Sequence, residues 1–397
     1  MSSIVQRFAV QYEYPVHFTR DLFRAGQADL ATALTRREPT RRARCFFAVE
    51  ARVAELWPQL LRDIQGYVAA HSDSLLSTAP PYVATGGEAC KNDDSAVPRL
   101  LAQLEAAKVD RHAVVVVVGG GAFQDMTGYA AAIAHRGVRV ARVPTTVLSQ
   151  ADSAVGVKNG VNAFGKKNFL GTFAPPFAVL IDPNFLRTLP ARDAIAGMAE
   201  AIKVGLIKDA AFFHWMVDSA PLLARCDDEA LAHLVHRCAE LHLAHIATSG
   251  DAFEYGSARP LDFGHWSAHK LESLTAHRLS HGEAVAIGIA LDTRYGVEIG
   301  MLAPQDGERI VSLIERLGLP IWDAALDRQG PRGLEILRGL EEFREHLGGE
   351  LTVTLLDGIG RAREVHALDH AHIRSSLEWL RARAQRHDAR VQASPNT

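Results

Sequence analysis

The stretch VVVVVGGG, residues 114–121, decides the reading of this chain. Five consecutive valines are too β-branched for a good helix and are apolar on both faces, as the central strand of a parallel sheet must be. The glycines that follow, Gly119, Gly120 and Gly121, let backbone N–H groups approach an anion, and a helix N-terminus behind them favours negative charge. On this motif alone two readings stay open: a dinucleotide pyrophosphate site, or a tight strand-to-helix turn with no ligand. The spacing is not GxGxxG, so an ordinary Rossmann dehydrogenase is not indicated.

Outward from the valines, residues 125–135 read as a helix and 138–143 as the next strand. That order implies a right-handed crossover in an α/β sheet. Upstream, 45–49 is a short apolar run, 52–70 has helical spacing, and the aromatic, partly alternating 8–18 reads as an opening strand or hairpin. Downstream of about residue 191 the character changes. Residues 194–208, 229–248, 265–275, 283–300 and 308–317 fit helices, and 351–356 is the one strand-like exception. The expected fold is an α/β N-terminal domain over 1–188 and an all-helical C-terminal domain over 189–390. The polar residues from about Arg383 onward, and 391–397 above all, are expected to fray.

A chain of 397 residues has room for two domains, and a net charge of −3 gives no reason to expect nucleic acid or an acidic membrane surface as partner. Any anionic ligand must be caught by a local basic cluster. Cys45, Cys90, Cys226 and Cys238 are widely spaced and form no CxxC, so neither a disulfide framework nor a cysteine zinc site is indicated. With no apolar leader at the start and no run approaching about 18 apolar residues, the expectation is a soluble, cytoplasmic protein.

Metal chemistry enters through histidines. His265 and His269 are four apart and share a helical face, and His281 opens the next predicted helix. Glu200 lies in the apolar helical stretch MAEAI, where a carboxylate needs a partner. One Glu with two His and an open position suits a catalytic zinc. The competing reading is that these are satisfied helix-interface side chains. The histidines of a second helix, His233, His236, His242 and His245, read as solvent or interface residues. Lys158, Lys166, Lys167 and Asn168 lie in a Gly- and Asn-rich segment, and Lys203 follows Glu200 by three, on the same face. Each lysine can simply be solvated; the turn residues Gly160, Asn162 and Gly165 point instead to a phosphate pocket.

The stretches GGGAFQDMTGYAAAIAHRG (119–137), VPTTVLSQADSAVGVKNGVNAFGKKN (143–168), GMAEAIKVG (197–205), DFGHWSAHKLE (262–272) and SHGEAVAIG (280–288) occur in this order. Together they resemble the 3-dehydroquinate synthase superfamily of sugar-phosphate cyclases. The resemblance implies an N-terminal NAD-binding α/β domain and a C-terminal helical, metal-binding domain. It implies that Glu200, His265 and His281 are ligands of zinc, with cobalt also fitting such nitrogen and oxygen donors. It places Glu50, Glu88, Lys91, Gly119, Gly120, Gly121, Asp125, Thr145, Thr146 and Thr188 at NAD-contacting positions, with Asp152 and Lys158 beside them. Asp152, Lys158, Lys167, Asn168, Lys203 and His269 match substrate-site positions. Arg136 matches an arginine donated across a dimer interface to the neighbouring subunit's phosphate, which implies a homodimer. The implied reaction oxidises a ring hydroxyl transiently, expels phosphate by elimination, returns the hydride, and recloses the opened chain by an intramolecular aldol step to a carbocycle.

Departures from the family pattern bear on the substrate. Quinate-forming members carry a lysine where this chain has His242, an asparagine where it has Asp262, and an arginine at Ala258, with Arg259 one place off. A C-terminal Asp-Lys-Lys region also has no counterpart, with Arg344, Glu345 and His346 nearby instead. RPLDFGH (259–265) and YEYPVHF (12–18) resemble the cyclases that act on sedoheptulose 7-phosphate, the 2-epi-5-epi-valiolone synthases. His269 stands where those enzymes tend to have proline and there matches the quinate type. The expected substrate is a phosphorylated heptulose without a carboxylate. Alternatives are 3-dehydroquinate synthase proper, a metal alcohol dehydrogenase of the glycerol-dehydrogenase kind, and a non-catalytic binding protein of this fold.

Overall fold

The valine run forms strand β5 (Val114–Gly119), every residue of which is buried. In the computed structural model, which describes residues 3–253, 261–346 and 348–393, it sits inside a seven-stranded sheet. The other strands are β1 (Val16–Phe18), β2 (Ala43–Glu50), β3 (Leu75–Ser77), β4 (Tyr82–Ala84), β6 (Arg139–Pro144) and β9 (Ala178–Ile181). The order is β1-β9-β6-β5-β2-β3, with β4 also on β2, and every pairing is parallel. The connecting helices are α1 (Asp29–Thr35), α2 (Ala51–Leu56), α3 (Leu60–Ala70), α4 (Gly87–Asn92), α5 (Ala96–Ala106) and α6 (Gly121–Ile133). Phe46, Val115, Val117 and Phe123 anchor one core on a face of this sheet. A hairpin of β7 (Lys158–Ala163) and β8 (Lys166–Phe173) stands outside it.

Two expectations in this region need correcting. The helix expected over 52–70 is two helices, α2 and α3, because Pro58 lies between them and cannot donate to a continuous ladder. The opening strand expected over 8–18 is only β1; residues 3–13 are exposed, so their alternation buries no face.

The second unit is helical: α7 (Ala191–Lys208), α8 (Ala210–Leu223), α9 (Asp228–Thr248), α10 (His265–Leu274), α11 (His281–Glu298), α12 (Pro304–Arg316), α13 (Arg338–His346) and α14 (His370–Ala393). Two short hairpins join them, at Gln329–Gly330 with Gly333–Leu334 and at Val353–Gly358 with Arg361–Val365. The fraying expected from Arg383 is not what the structure shows, since α14 runs to Ala393. Arg383 itself reaches Glu315 Oε2 at 2.8 Å and Glu308 Oε2 at 2.6 Å; residues 394–397 lie outside the described residues.

The chain divides into Met1–Thr145 with Ala154–Asn184, and Thr146–Ser153 with Phe185–Thr397. Segment 146–153, expected in the first domain, therefore belongs with the helices. Side-chain size explains it. A Cβ on Gly197 of α7 would stand 2.6 Å from the Leu148 nitrogen and 2.8 Å from Val147 Cβ, so glycine alone admits that segment. Among the described residues no helix is long and apolar enough to cross a membrane.

Candidate active site

In the sheet unit, chain order reverses beside β2: β3 and β4 go to one side of it and β5, β6 and β9 to the other. The crevice outside the carboxyl ends of strands at such a switch point is where open α/β sheets bind ligands. Glu50 ends β2 there and Gly119 ends β5. Glu50 Oε2 accepts the Gly120 N–H at 2.7 Å. Burial raises the Glu50 pKa, and the N–H groups of Gly120 and Gly87 oppose it. A Cβ on Gly119 would lie 2.9 Å from that carboxylate and 2.7 Å from Phe123, so the turn is closely packed. One glycine donor thus already serves a carboxylate, and Gly121 opens α6 behind it. Thr145, whose N–H reaches Gly119 O at 3.2 Å, has its hydroxyl oxygen buried with no partner. An orphaned polar atom beside a glycine turn is what a bound polar ligand would satisfy.

A second network lies nearby in sequence terms. Lys91 is 4% exposed, and its ammonium reaches Asp125 Oδ2 at 2.8 Å and also Asn168 Oδ1. Asn162 donates to Glu88 Oε1 at 2.6 Å and accepts the Asn168 N–H at 2.8 Å. Asn168, expected with the substrate lysines, is thereby tied to Lys91. Those lysines do not form one cluster within the hairpin. Lys158 opens β7 opposite Phe173, and Lys167 lies by the turn where Ala163 faces Lys166. At about 3.3 Å per residue their backbones stand roughly 13 Å apart along the hairpin. Arg136 is exposed, with φ 63°, just before β6. It is at the amino edge of the sheet, whereas Glu50 and Gly119 are at the carboxyl edge.

In the helical unit, Glu200 on α7 is fully buried, and neither of its oxygens makes a well-aligned hydrogen bond. Polar groups nonetheless converge on it. His265 Nε2 is 3.4 Å and His281 Nε2 3.3 Å from Oε1, and Lys203 Nζ is 2.5 Å from Oε2. Ligands held at about 2.0–2.1 Å from a tetrahedral ion stand roughly 3.3 Å from one another. Each ring also has its other nitrogen accounted for: His265 Nδ1 is 3.1 Å from Phe263 O, and His281 Nδ1 is 3.2 Å from Glu272 Oε2. That pattern fixes the tautomer with Nε2 as the lone-pair atom, as in metal-ligating histidines. Glu200 Oε1, buried without a well-aligned hydrogen bond, and the two oriented Nε2 atoms fit a zinc-like ion.

Close backbone approach builds this convergence. Gly264, φ 79°, caps α10, and a Cβ there would lie 2.6 Å from the Ile289 nitrogen on α11. A Cβ on Gly282 would lie 1.9 Å from Ala196 O on α7. The residues beside these glycines, His265 and His281, are the first residues of α10 and α11. A Ser280–Glu283 capping box holds the start of α11, and Arg192 clamps Glu283 with two bonds of 2.7 Å.

Charges around Glu200 are balanced by proximity. Burial alone would raise its pKa, but Lys203 and His265 hold it well below the carboxylate range. Burial opposes the Lys203 charge, and Glu200, Asp152 and Asp262 outweigh it, so the ammonium is held. His242, read as a solvent or interface residue, is instead 5% exposed and pairs through Nε2 with Asp152 Oδ1 at 3.0 Å. His233 packs against Trp215 with ring centroids 4.2 Å apart and planes tilted by 49°, and His236 faces Glu240 at 3.5 Å. Thr146 bonds Ser149 through its hydroxyl, and both it and Thr188 belong to this unit. Arg259 and Ala258 lie outside the described residues.

Sequence reasoning missed Glu272 and Asp292. Glu272 follows His269 by three and His265 by seven, a same-face spacing legible in the sequence. Asp292 is a carboxylate in an apolar stretch, like Glu200, and accepts from Trp266 Nε1 at 2.8 Å and Gly264 N at 3.0 Å.

Residues 81–196 match the family model described as 3-dehydroquinate synthase N-terminal, and residues 197–334 the one described as 3-dehydroquinate synthase C-terminal. The chain belongs to the 3-dehydroquinate-synthase-like cyclase superfamily. Among solved structures it is similar to ValA, a 2-epi-5-epi-valiolone synthase from Streptomyces hygroscopicus subsp. jinggangensis 5008 with NAD+ and Zn2+ bound. That likeness is 29% identical, covers 96% of this chain and 100% of the other, and has a TM-score of 0.85. A 2-deoxy-scyllo-inosose synthase complexed with carbaglucose-6-phosphate, NAD+ and Co2+ is 22% identical over 92% of this chain and 96% of that one, TM-score 0.74. A probable glycerol dehydrogenase from Sinorhizobium meliloti 1021 is 17% identical over 95% and 99%, TM-score 0.59. The last two likenesses are of fold alone. The superfamily's two domains are the sheet unit and the helical unit described above.

Proposed function

We propose that this protein is an NAD- and zinc-dependent sugar-phosphate cyclase. It eliminates phosphate from a heptulose phosphate lacking a carboxylate and recloses the chain as a carbocycle. The observation that carries the reading is the convergence of His265 Nε2 and His281 Nε2 on Oε1 of the buried Glu200, an oxygen that makes no well-aligned hydrogen bond. The cofactors bound to the valiolone synthase, NAD+ and Zn2+, support the same pair here.

Glu200, His265 and His281 would hold the ion, which when bound supplies a Lewis acid for the reacting oxygens. Cobalt suits the same donors. Glu50, the Gly119–Gly121 turn and Thr145 would hold NAD, which supplies reversible hydride transfer; Glu88, Lys91, Asp125, Thr146 and Thr188 are the further contacts we assign to it. Lys203 remains an ammonium in a buried setting and is a donor for developing negative charge on a substrate oxygen. Lys158, Lys167 and Asn168 are assigned to the substrate phosphate. Arg136, at the amino edge of its own sheet, suits a role in the neighbouring site of a homodimer. Four cysteines without a disulfide accord with a cytoplasmic enzyme.

The substrate class rests on charge. The one cation at position 242 is spent on Asp152 and buried, and Asp262 adds negative field at Lys203. A substrate carboxylate would be left poorly paired there. The test is kcat/KM for sedoheptulose 7-phosphate against that for the heptulosonate phosphate. Preference for the neutral chain supports the assignment; efficient turnover of the heptulosonate alone overturns it.

A further inference from the structure

Glu272 places a single oxygen, Oε2, 3.2 Å from His281 Nδ1 and 3.2 Å from His269 Nδ1. Its side chain is 5% exposed, against 24% for His281 and 45% for His269. The rings of His269 and His281 lie nearly parallel, 21° apart, with centroids at 5.9 Å. A carboxylate oxygen offers only lone pairs, so each contact needs a proton on Nδ1. An imidazole protonated at Nδ1 carries its lone pair on Nε2. His281 turns that atom to Glu200, whereas His269, the more exposed ring, keeps it as an acceptor.

We infer that Glu272 is a positioning residue that sets His281 and His269 in one tautomer through a shared oxygen, so that the first serves the ion and the second serves the substrate. The inference rests on the metal site proposed above. It also resolves a geometric ambiguity, because His269, Glu272 and His281 have ligand atoms close enough to form a competing trio. In that trio His281 would spend Nδ1 on the ion, and Glu200 would keep only its Lys203 pair at Oε2, with the buried Oε1 left without a hydrogen bond. Glu272 is therefore an acceptor behind the ligand, and His269 binds no ion.

The experiment measures zinc affinity of the full chain by competition with a chromophoric chelator. The variants are Glu272→Ala, Glu272→Gln, His269→Ala and Glu200→Ala, with circular dichroism confirming that each is folded. Glu272→Ala should weaken zinc binding by about 10–100-fold, the usual cost of losing such an acceptor. Glu272→Gln, whose amide oxygen still accepts, should recover most of the loss, and its recovery stands as the result should the alanine variant fail to fold. His269→Ala should bind zinc within about twofold of the parent, since it removes no ligand. In a cobalt-loaded sample, Glu272→Ala should shift the visible absorption bands and His269→Ala should not. Wild-type affinity in Glu272→Ala, no recovery in the folded Gln variant, or loss of zinc in His269→Ala overturns the inference. Glu200→Ala separates the two levels: if it retains zinc, the underlying metal site fails, whereas if it loses zinc and Glu272→Ala does not, only the role of Glu272 fails.

Discussion

His242 Nε2 lies 3.0 Å from Asp152 Oδ1, and the same ring's Nδ1 is 3.2 Å from the carbonyl oxygen of Cys238. Both nitrogens face acceptors, the setting of an imidazolium. Burial opposes that charge, but Asp152 raises the His242 pKa well above its ordinary value. Replacing the ring with a flexible cation should relax discrimination against acidic substrates. For His242→Lys, the ratio of kcat/KM for the heptulosonate phosphate to that for sedoheptulose 7-phosphate should rise on the order of tenfold, the worth of one charge-assisted hydrogen bond. An unchanged ratio in steady-state assays would remove His242 from the account of specificity.

Gly282 has no room for a methyl group, since its Cβ would meet Ala196 O at 1.9 Å. Gly282→Ala must push α11 from α7 and carry His281 away from Glu200. It should cost about 1–3 kcal/mol in urea unfolding, as overpacking does, and lower the zinc retained after dialysis. Full zinc retention would show that the helix contact does not set the ligand geometry.

Asp292 has its pKa pushed to about 7 by burial, against the pull of Trp266 and Gly264. The unfolded chain titrates near an ordinary value of about 3.9. Between these values the folded protein binds a proton that the unfolded chain does not. Stability from this group therefore falls as pH rises from about 4 to 7 and levels off above. Asp292→Asn cannot titrate there. Its destabilisation relative to the parent should be larger at pH 5 than at pH 8, by up to about 2.5 kcal/mol. Equal differences at both pH values in urea unfolding would refute the shift.

Arg136→Ala and Lys203→Ala should each inactivate the enzyme if Arg136 acts on the neighbouring subunit. Mixing the two after subunit exchange should restore about a quarter of parental activity, because each mixed dimer holds one complete site. No recovery in confirmed mixed dimers would place Arg136 in its own subunit's chemistry or outside it.

The two-domain plan was legible because β5 and the helices from α7 onward carry unambiguous periods: five buried valines in the first half of the chain, long amphipathic or apolar helices in the second. Glu200, His265 and His281 could be singled out because a carboxylate in an apolar helix and two histidines at helix starts are visible in the order of residues, but only the family resemblance favoured a metal over satisfied helix-interface side chains. The His242–Asp152 pair was not, because it joins a helix to the short π-helical turn Ser149–Ser153 at a separation no local pattern encodes. The same holds for segment 146–153, whose place with the helices depends on the missing side chain of Gly197. The break between α2 and α3 could have been read from Pro58, and Glu272 from its same-face spacing with His269.

The measurement that bears most directly on the central claim follows inorganic phosphate and NADH absorbance together, while zinc-loaded protein and NAD+ are incubated with sedoheptulose 7-phosphate. A cyclase releases phosphate with no net NADH, because the hydride is returned within each turnover, and that is the predicted result. NADH accumulating without phosphate release would contradict it and make the protein a dehydrogenase.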